Sequence, residues 1–483
     1  MQCREGPRKE TRPCRQTYFM DTLKQLYLKH FNSECSALTP ILGSASDRSY
    51  YRLAGPAGSA IGVAGTDLRE NETFLYIDSL MRSHGIKAPE VYGVSADGMK
   101  YLQQDLGDVC LLDLLHTPEG DGYVRQVMRV LPDIQFSLDI DENRLYPVRE
   151  MGAEEALWDL HYFKYCFLKV TGATFDEAAL EQDFRRLVAD LWDGHLTAFI
   201  YRDCQSRNLM ISGRAPWWID FQSMRRGPVL YDVASFLWQA RAGFTDSERD
   251  SFADEYHEAM QRYAQCSHEE FRTMLRRMAL MRTLQVLGAY GLRGLTEHKA
   301  RFVQSIPAAL ANAVSLTGGE NAEAYPELRR ALLETAGMER FRPEETDGKL
   351  HVKVFSFSYK KGYPEDLSGN GGGFMFDCRA MHNPGRYDLY KPLTGRDRPV
   401  MDFLEKQGEI QPFLEAASRL TDPAVERYIK RGFSSLQIGF GCTGGRHRSV
   451  YCAEHTARHI AGKYGDKVKV SLIHREQNIR EEL

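Results

Sequence analysis

The chain has 483 residues, 43% of them hydrophobic and 27% charged, with a formal net charge of -4. That is the make-up of ordinary globular domains, with material for two or three of about 100–200 residues each. It excludes a polybasic nucleic-acid scaffold, and no run approaches the ~18 consecutive apolar residues of a membrane helix.

The charged N-terminus MQCREGPRKETRPCRQTYFM lacks the apolar h-region of a secretory signal. Residues 1–19 therefore read as a disordered leader and the chain as cytoplasmic. The 10 cysteines form no CxxC pair, which fits reduced thiols better than zinc ligands or disulfides.

Apolar spacing predicts a helix over 20–31. Residues 38–65 read as strands joined by a small-residue turn. A helix follows over 70–86, with apolar positions at 74, 75, 77, 80 and 81. Residues 91–106 read as a hairpin turning at Asp97-Gly98. The pattern is helical from 111 to about 192, breaks into short strands and loops over 196–236, and is helical again over 245–340. The stretch RFRPEETDGKL (340–350) holds Pro, Gly and charge with no apolar period, and reads as a domain junction. Beyond it come an alternating strand HVKVFSFSYK, a Gly-rich loop SGNGGGF, helices over 401–433, a buried strand SLQIGF, a turn GCTGGRHRS, a helix and a last strand KVKVSLIHR. This is strand–loop–helix order. The expected division is a first domain at 20–338 (small lobe about 20–105, helical lobe about 106–338), a linker at 339–350 and a second domain at 351–483.

One constellation carries chemistry in the first domain. Tyr201-Arg-Asp203-Cys-Gln-Ser-Arg-Asn208 is followed by Trp217-Trp-Ile-Asp220-Phe-Gln222. Phosphoryl transfer needs a carboxylate at the attacking hydroxyl, and an amide with a second carboxylate to hold magnesium against the phosphates. Kinase catalytic loops read HRD-x4-N before a strand ending in Asp-Phe-Gly. The order and offset match here, with Tyr201 in place of His and Gln222 in place of Gly. Gly43-Ser44-Ala45-Ser46 opens a small-residue hairpin suited to covering ATP phosphates with backbone N–H groups. Gln104-Asp105-Leu106 reads as the connector beside the adenine.

On GSASDRSYYR, DLGD, YRDCQSRNLM and IDFQSMRRGPVLYDVAS, residues 20–330 resemble the aminoglycoside phosphotransferase superfamily, and within it the bacterial N-acetylmuramate and N-acetylglucosamine kinases. The resemblance implies an α+β protein-kinase-like two-lobed fold, with ATP and Mg2+ as cofactors. It also implies Asp203 as catalytic base, Asn208 and Asp220 as magnesium ligands, and Asp232 as a brace of the catalytic loop. Ser44 replaces a family Asp, and the strand IGVAG has no lysine. Arg48 or Arg52 is the candidate replacement cation, with Glu72 on the next helix as its partner.

In the second domain, Gly441-Cys-Thr-Gly-Gly-Arg-His-Arg448-Ser449 lies between an apolar strand and a helix. Glycines, basic residues and a helix N-terminus suit an anion. The same stretch fits Cys-x5-Arg-Ser, the loop of cysteine phosphatases, with Cys442 as a thiolate nucleophile. On FSFSYKKGYP, FDCRAMHNP, KPLTGRDRPV and GCTGGRHRSV, residues 351–476 resemble the C-terminal domain of the RNase adapter protein RapZ. That resemblance implies a separate α/β domain that binds a hexosamine phosphate. By motif, Asp377, Arg379, Asn383, Thr394, Gly395, Cys442, Thr443, Gly444, Gly445, His447 and Arg448 line the site. The tail HREQNIREEL has mixed charge, which argues against RNA as a partner.

Together these point to an ATP-dependent kinase of a sugar hydroxyl joined to a hexosamine-phosphate sensor. The rivals are a non-catalytic nucleotide-dependent regulator or RNase adapter-like protein, and an aminoglycoside kinase.

Overall fold

In a computed structural model of the protein, residues 15–41, 48–146, 150–192, 196–319, 321–341, 348–364 and 373–483 are described. The expected phosphate-covering residues Gly43, Ser44, Ala45 and Ser46 lie outside them. So do most of the leader, of the junction and of the Gly-rich loop. Among the described residues no helix is long and apolar enough to cross a membrane.

Packing divides the chain into two units, Met1–Ala289 with Ala308–Thr335, and Tyr290–Pro307 with Ala336–Leu483. The segment 290–307 was expected in the helical lobe and instead clusters with the second unit. The long helix His268–Tyr290 gives way there to a π-helical turn, Gly291–Thr296.

The first unit starts with the helix Arg15–Phe31. Strands β1 (Ala37–Ile41), β2 (Ser49–Gly55), β3 (Gly58–Ala64), β4 (Val91–Val94) and β5 (Lys100–Gln104) form an antiparallel sheet in the order β1-β2-β3-β5-β4. Leu23 and Tyr27, one helical turn apart, press onto Leu53, Ala60 and Leu102 of the sheet. The β2–β3 turn is tight. A side chain at Gly55 would meet the Glu34 carbonyl at 2.6 Å and the Tyr27 hydroxyl at 2.8 Å. The β4–β5 hairpin turns where expected, with Gly98 in the left-handed region (φ +68°).

The helix Leu68–Ser83 starts at Asp67, whose side chain accepts from the N–H of Arg69. Its inner face departs from the expected stripe. Phe74, Ile77 and Met81 are buried, but Asn71, Thr73 and Asp78 join them, while Leu75 and Leu80 are half-exposed. Asn71 turns inward because Gly65 leaves it room, and its Nδ2 donates to the Gly98 carbonyl at 3.0 Å.

The helical lobe holds helices that include Pro118–Phe136, Glu177–Trp192 and Asp246–Met260, closed on Phe163, Phe167, Phe184 and Tyr256. It also carries two short antiparallel pairs, β6 (Thr197–Ile200) with β9 (Arg225–Pro228) and β7 (Leu209–Ser212) with β8 (Ala215–Trp218).

The second unit is built on a sheet of order β11-β12-β10-β13-β14, from β10 (Leu350–Ser358), β11 (Gly373–Asp377), β12 (Ser435–Cys442), β13 (Val468–His474) and β14 (Ile479–Glu482). The first four run parallel, and β14 pairs antiparallel with β13. Every residue of β12 is buried, as a strand between two parallel neighbours must be. The expected helical run 401–433 is broken at Gly408 (φ +75°) into Arg398–Lys406 and Ile410–Arg431. The tail yields a strand the sequence reading missed, because β14 is a short edge strand of mixed charge, with Arg480 and Glu482 exposed.

Candidate functional site

Strand β6 delivers Tyr201, Arg202 and Asp203 to the centre of the first unit. Asp232, on the helix Leu230–Leu237, is fully buried there. Its carboxylate accepts from the backbone N–H of Tyr201 at 2.7 Å, from that of Arg202 at 2.8 Å, and from Gln135 Nε2 at 2.9 Å. Burial pushes this carboxyl up to about 6 against the pull of those donors. Gln135 also donates to the Val229 carbonyl at 2.9 Å and accepts from the Tyr256 hydroxyl at 2.6 Å. Arg202 sits in the left-handed region (φ +73°), costly for a residue with a side chain and held by these bonds.

Tyr201 replaces the usual histidine and acts as a tie. Its ring is buried 5.3 Å from Trp218, and its hydroxyl donates to the carbonyl of Ile219, one residue before Asp220. The catalytic loop and the Asp220 loop are thereby fixed to each other.

Asp203 faces Arg207 at 3.6 Å, and its carbonyl accepts from Asn208 Nδ2 at 2.9 Å. That bond uses the Asn208 amide nitrogen and not its oxygen. Asp220 also has a left-handed backbone (φ +68°). Phe221 after it stacks at 4.7 Å on Phe74 of the helix Leu68–Ser83. Burial pushes the Asp220 carboxyl up and the charge of Asp203 adds to it, while Arg48, Arg207 and Gln222 draw it down. Two neighbouring carboxylates and one amide oxygen suit a hard divalent cation whose remaining ligands are phosphate oxygens and water. Among the described residues no group of three or more His, Cys, Asp or Glu is placed to hold a metal ion.

The two candidate cations differ sharply. Arg52 spends its donors on the connector, with Nε on Asp105 at 2.8 Å, Nη2 on Asp105 and the Gly107 carbonyl, and Nη1 on Asp108 at 2.7 Å. It braces the connector, whose Leu106 is buried and whose Gln104 pairs through backbone and side chain with Glu90. Arg48 is 4% exposed and lies 3.6 Å from Glu70. The expected partner, Glu72, is exposed, and the half-exposed Glu70 of the first helical turn stands closer to Arg48.

In the second unit the anion-loop residues gather as expected, but several bond to one another. Cys442 ends β12, 3.1 Å from the Ser449 hydroxyl. Burial pushes its thiol up, yet donors from Ser449 and the Arg446 backbone, with the Arg448 charge, hold it below its ordinary value. Gly445 (φ +64°) lies against Glu476 and the Ser358 N–H, where a side chain would collide at 2.4 and 2.8 Å. Gly395 packs with equal tightness, 2.2 Å from the His447 carbonyl by the same measure, and donates to the Arg446 carbonyl. His447 Nε2 meets the Tyr390 carbonyl at 2.9 Å, and burial holds the ring below the ordinary imidazole value.

Arg448 is buried at the start of the helix Arg448–Tyr464 and donates to the carbonyls of Arg379 (2.9 Å) and Met381 (2.7 Å). It anchors the turn after β11 through Nη1, and its buried Nε has no hydrogen-bond partner among the described residues. Arg379 forms a bidentate pair with Asp377 and lies 4.0 Å over the Tyr359 ring. Asn383 caps the Gly385 N–H, and Thr394 pairs with Asp397. Thr443 and Gly444 are exposed at the mouth of the loop.

Sequence reasoning missed Ser358, whose hydroxyl donates to the Thr443 carbonyl at 2.7 Å, and Glu476, which takes the Ser358 N–H at 3.3 Å and Lys361 at 2.8 Å. It also missed Gln135 in the first unit. Ser358 lies within FSFSYKKGYP without being singled out, Gln135 and Glu476 stand outside the motifs, and the partners of all three are remote in sequence.

Residues 37–266 match the family model "Phosphotransferase enzyme family", and residues 350–478 match "RapZ C-terminal domain". A nucleotide-binding protein of Paramagnetospirillum magneticum is 41% identical over 136 residues, 28% of this chain and 42% of that protein. Another, from Rubrobacter xylanophilus, is 37% identical over 134 residues, 28% and 42% of the two chains. The chain thus spans less than half the length of these relatives. A solved structure of a putative aminoglycoside phosphotransferase from Ralstonia eutropha superposes with a TM-score of 0.44 at 13% identity, covering 65% of this chain and 98% of that one. Choline kinase LicA from Streptococcus pneumoniae gives 0.41 at 13%, covering 65% and 99%. The chain is thus similar to the phosphotransferase enzyme family over 37–266 and to the RapZ C-terminal domain over 350–478, each less than half of its length.

Proposed function

We propose that the first unit transfers the γ-phosphoryl group of ATP to a sugar hydroxyl. Asp203 accepts the proton of that hydroxyl and aims it in line with the phosphorus. Asn208 and Asp220 would hold a magnesium ion, which would offset the charge gathering on the phosphates. Such transfer is carried by positioning and electrostatics rather than by a covalent enzyme intermediate. The observation that supports this most is the pair of ties that fixes the two loops together. Asp232 grips the Tyr201–Arg202 backbone, and the Tyr201 hydroxyl holds the carbonyl before Asp220.

The acceptor is an amino sugar such as N-acetylmuramate or N-acetylglucosamine, on the strength of the motif resemblance. The second unit binds a hexosamine phosphate and reports its level. Its glycine-lined loop, helix start and buried Arg448 suit a phosphate dianion, and the site works in the cytoplasm, where such metabolites occur.

The test is ADP release by purified full-length protein with MgATP against N-acetylmuramate, N-acetylglucosamine, glucosamine and kanamycin. Release with the acetylated sugars and not with kanamycin is expected. Release with kanamycin alone favours the antibiotic-kinase reading, and no release with any acceptor contradicts the proposal.

A further inference from the structure

Arg48 is a buried cation beside Tyr50 and Glu70. Among the described residues its Nε, Nη1 and Nη2 make no well-formed hydrogen bond, and the ion pair it forms there is the 3.6 Å contact with Glu70. A guanidinium carries five N–H donors. Burying them without well-formed bonds is strongly unfavourable unless an anion arrives to take them.

Its position says which anion. Arg48 directly precedes β2 and shares a sheet face with Tyr50, two residues on. Tyr50 pairs with Val63 of β3, and Val63 with Tyr101 of β5. The Tyr101 ring stacks at 5.0 Å on Phe74, and Arg48 lies 5.8 Å from that same ring. Phe74 in turn stacks on Phe221, the residue after Asp220. Arg48 therefore reaches the face of the sheet that looks toward the proposed magnesium ligand, where nucleotide phosphates must lie.

Kinases of this general design place a lysine on β3 at this spot, paired with an acid of the following helix. Here β3 reads GSAIGVA and has none. The helix keeps a buried inward acid, Asp78, whose Oδ1 is unpartnered. A different pair, Arg48 with Glu70, joins the residue before β2 to the first helical turn.

We propose that Arg48 is the cation that grips the nucleotide's α- and β-phosphates, entering from β2 in place of a β3 lysine, with Glu70 holding it in position. This rests on the phosphotransferase reading.

Calorimetry of the full-length protein with ATP, ADP and adenosine, in magnesium, tests it. Arg48→Ala weakens ATP and ADP by roughly 30-fold or more, the scale of a lost charge-assisted contact, and leaves adenosine within about threefold. Arg48→Lys recovers part of the loss, since a point charge remains. The nucleotide-free Arg48→Ala protein melts no lower than wild type, because a buried charge without well-formed hydrogen bonds has been removed. Unchanged ATP affinity in Arg48→Ala overturns the proposal. So does a parallel loss of adenosine binding and melting temperature, the mark of a purely structural arginine. A wild-type protein that binds no ATP overturns the phosphotransferase reading as well.

Discussion

Asp232 holds the backbone N–H of Arg202 at 2.8 Å, and so keeps the residue before the proposed base in a left-handed conformation it would not adopt alone. Asp232→Asn puts an amide where a fully buried double acceptor is needed. The expected result is a drop of about 10- to 100-fold in kcat, with ATP affinity changed less than fivefold, as suits a loop that has lost its aim. Steady-state kinetics beside calorimetry checks it. An equal loss in both would place Asp232 in nucleotide binding instead.

The same carboxyl sets an acid limit. With its value pushed up to about 6, protonation below that pH removes charge from the bonds to Tyr201 and Arg202. kcat should fall as pH drops through 6 and be restored on return to pH 7.5. A rate flat down to pH 5 contradicts this role.

Asp78 gives a stability test of opposite sign. It is buried in the helix Leu68–Ser83, and burial pushes its carboxyl up to about 7. The folded chain therefore holds this proton more tightly than the unfolded chain does. The resulting stabilisation is complete below the unfolded value near 4 and is lost as pH rises through 7. At most it amounts to roughly 4 kcal/mol, the shift converted by linkage. Asp78→Asn cannot ionise, so its melting temperature should vary less between pH 5 and pH 8 than that of wild type. An unchanged difference would show that Asp78 does not titrate in this range.

In the second unit, Arg448 and Cys442 separate sensing from hydrolysis. Arg448 fixes the Arg379 and Met381 carbonyls. Arg448→Ala should weaken glucosamine-6-phosphate binding by about 2 kcal/mol or more, partly by freeing that turn. Cys442→Ser should bind nearly as well as wild type, since a hydroxyl can take the same bond with Ser449. Hydrolysis of p-nitrophenyl phosphate by wild type that vanishes in Cys442→Ser would instead establish the thiolate chemistry and sink the sensor reading.

The sequence made some of this legible and hid the rest for definable reasons. Asp203, Asn208 and Asp220 lie close together in the chain with fixed offsets, so spacing alone singles them out as candidates. The turn at Asp97-Gly98 is equally local. The choice between Arg48 and Arg52 was not legible. It depends on which guanidinium has already found acceptors, and Asp105 and Asp108 lie more than fifty residues beyond Arg52. The inner face of the helix Leu68–Ser83 was misread because Asn71 and Asp78 point in, at positions where hydropathy favours Leu75 and Leu80. Strand β14 escaped notice because an edge strand can be charged throughout.

The central claim is that Asp203 is the base of a sugar phosphotransferase, and single-turnover kinetics tests it most directly. Full-length wild type and Asp203→Asn are each mixed with MgATP and the sugar that gives the fastest ADP release, after calorimetry shows equal ATP affinity. The account expects the Asn variant to transfer phosphate at least about a hundredfold more slowly, the usual contribution of a positioned base. Transfer by Asp203→Asn within threefold of wild type would contradict it.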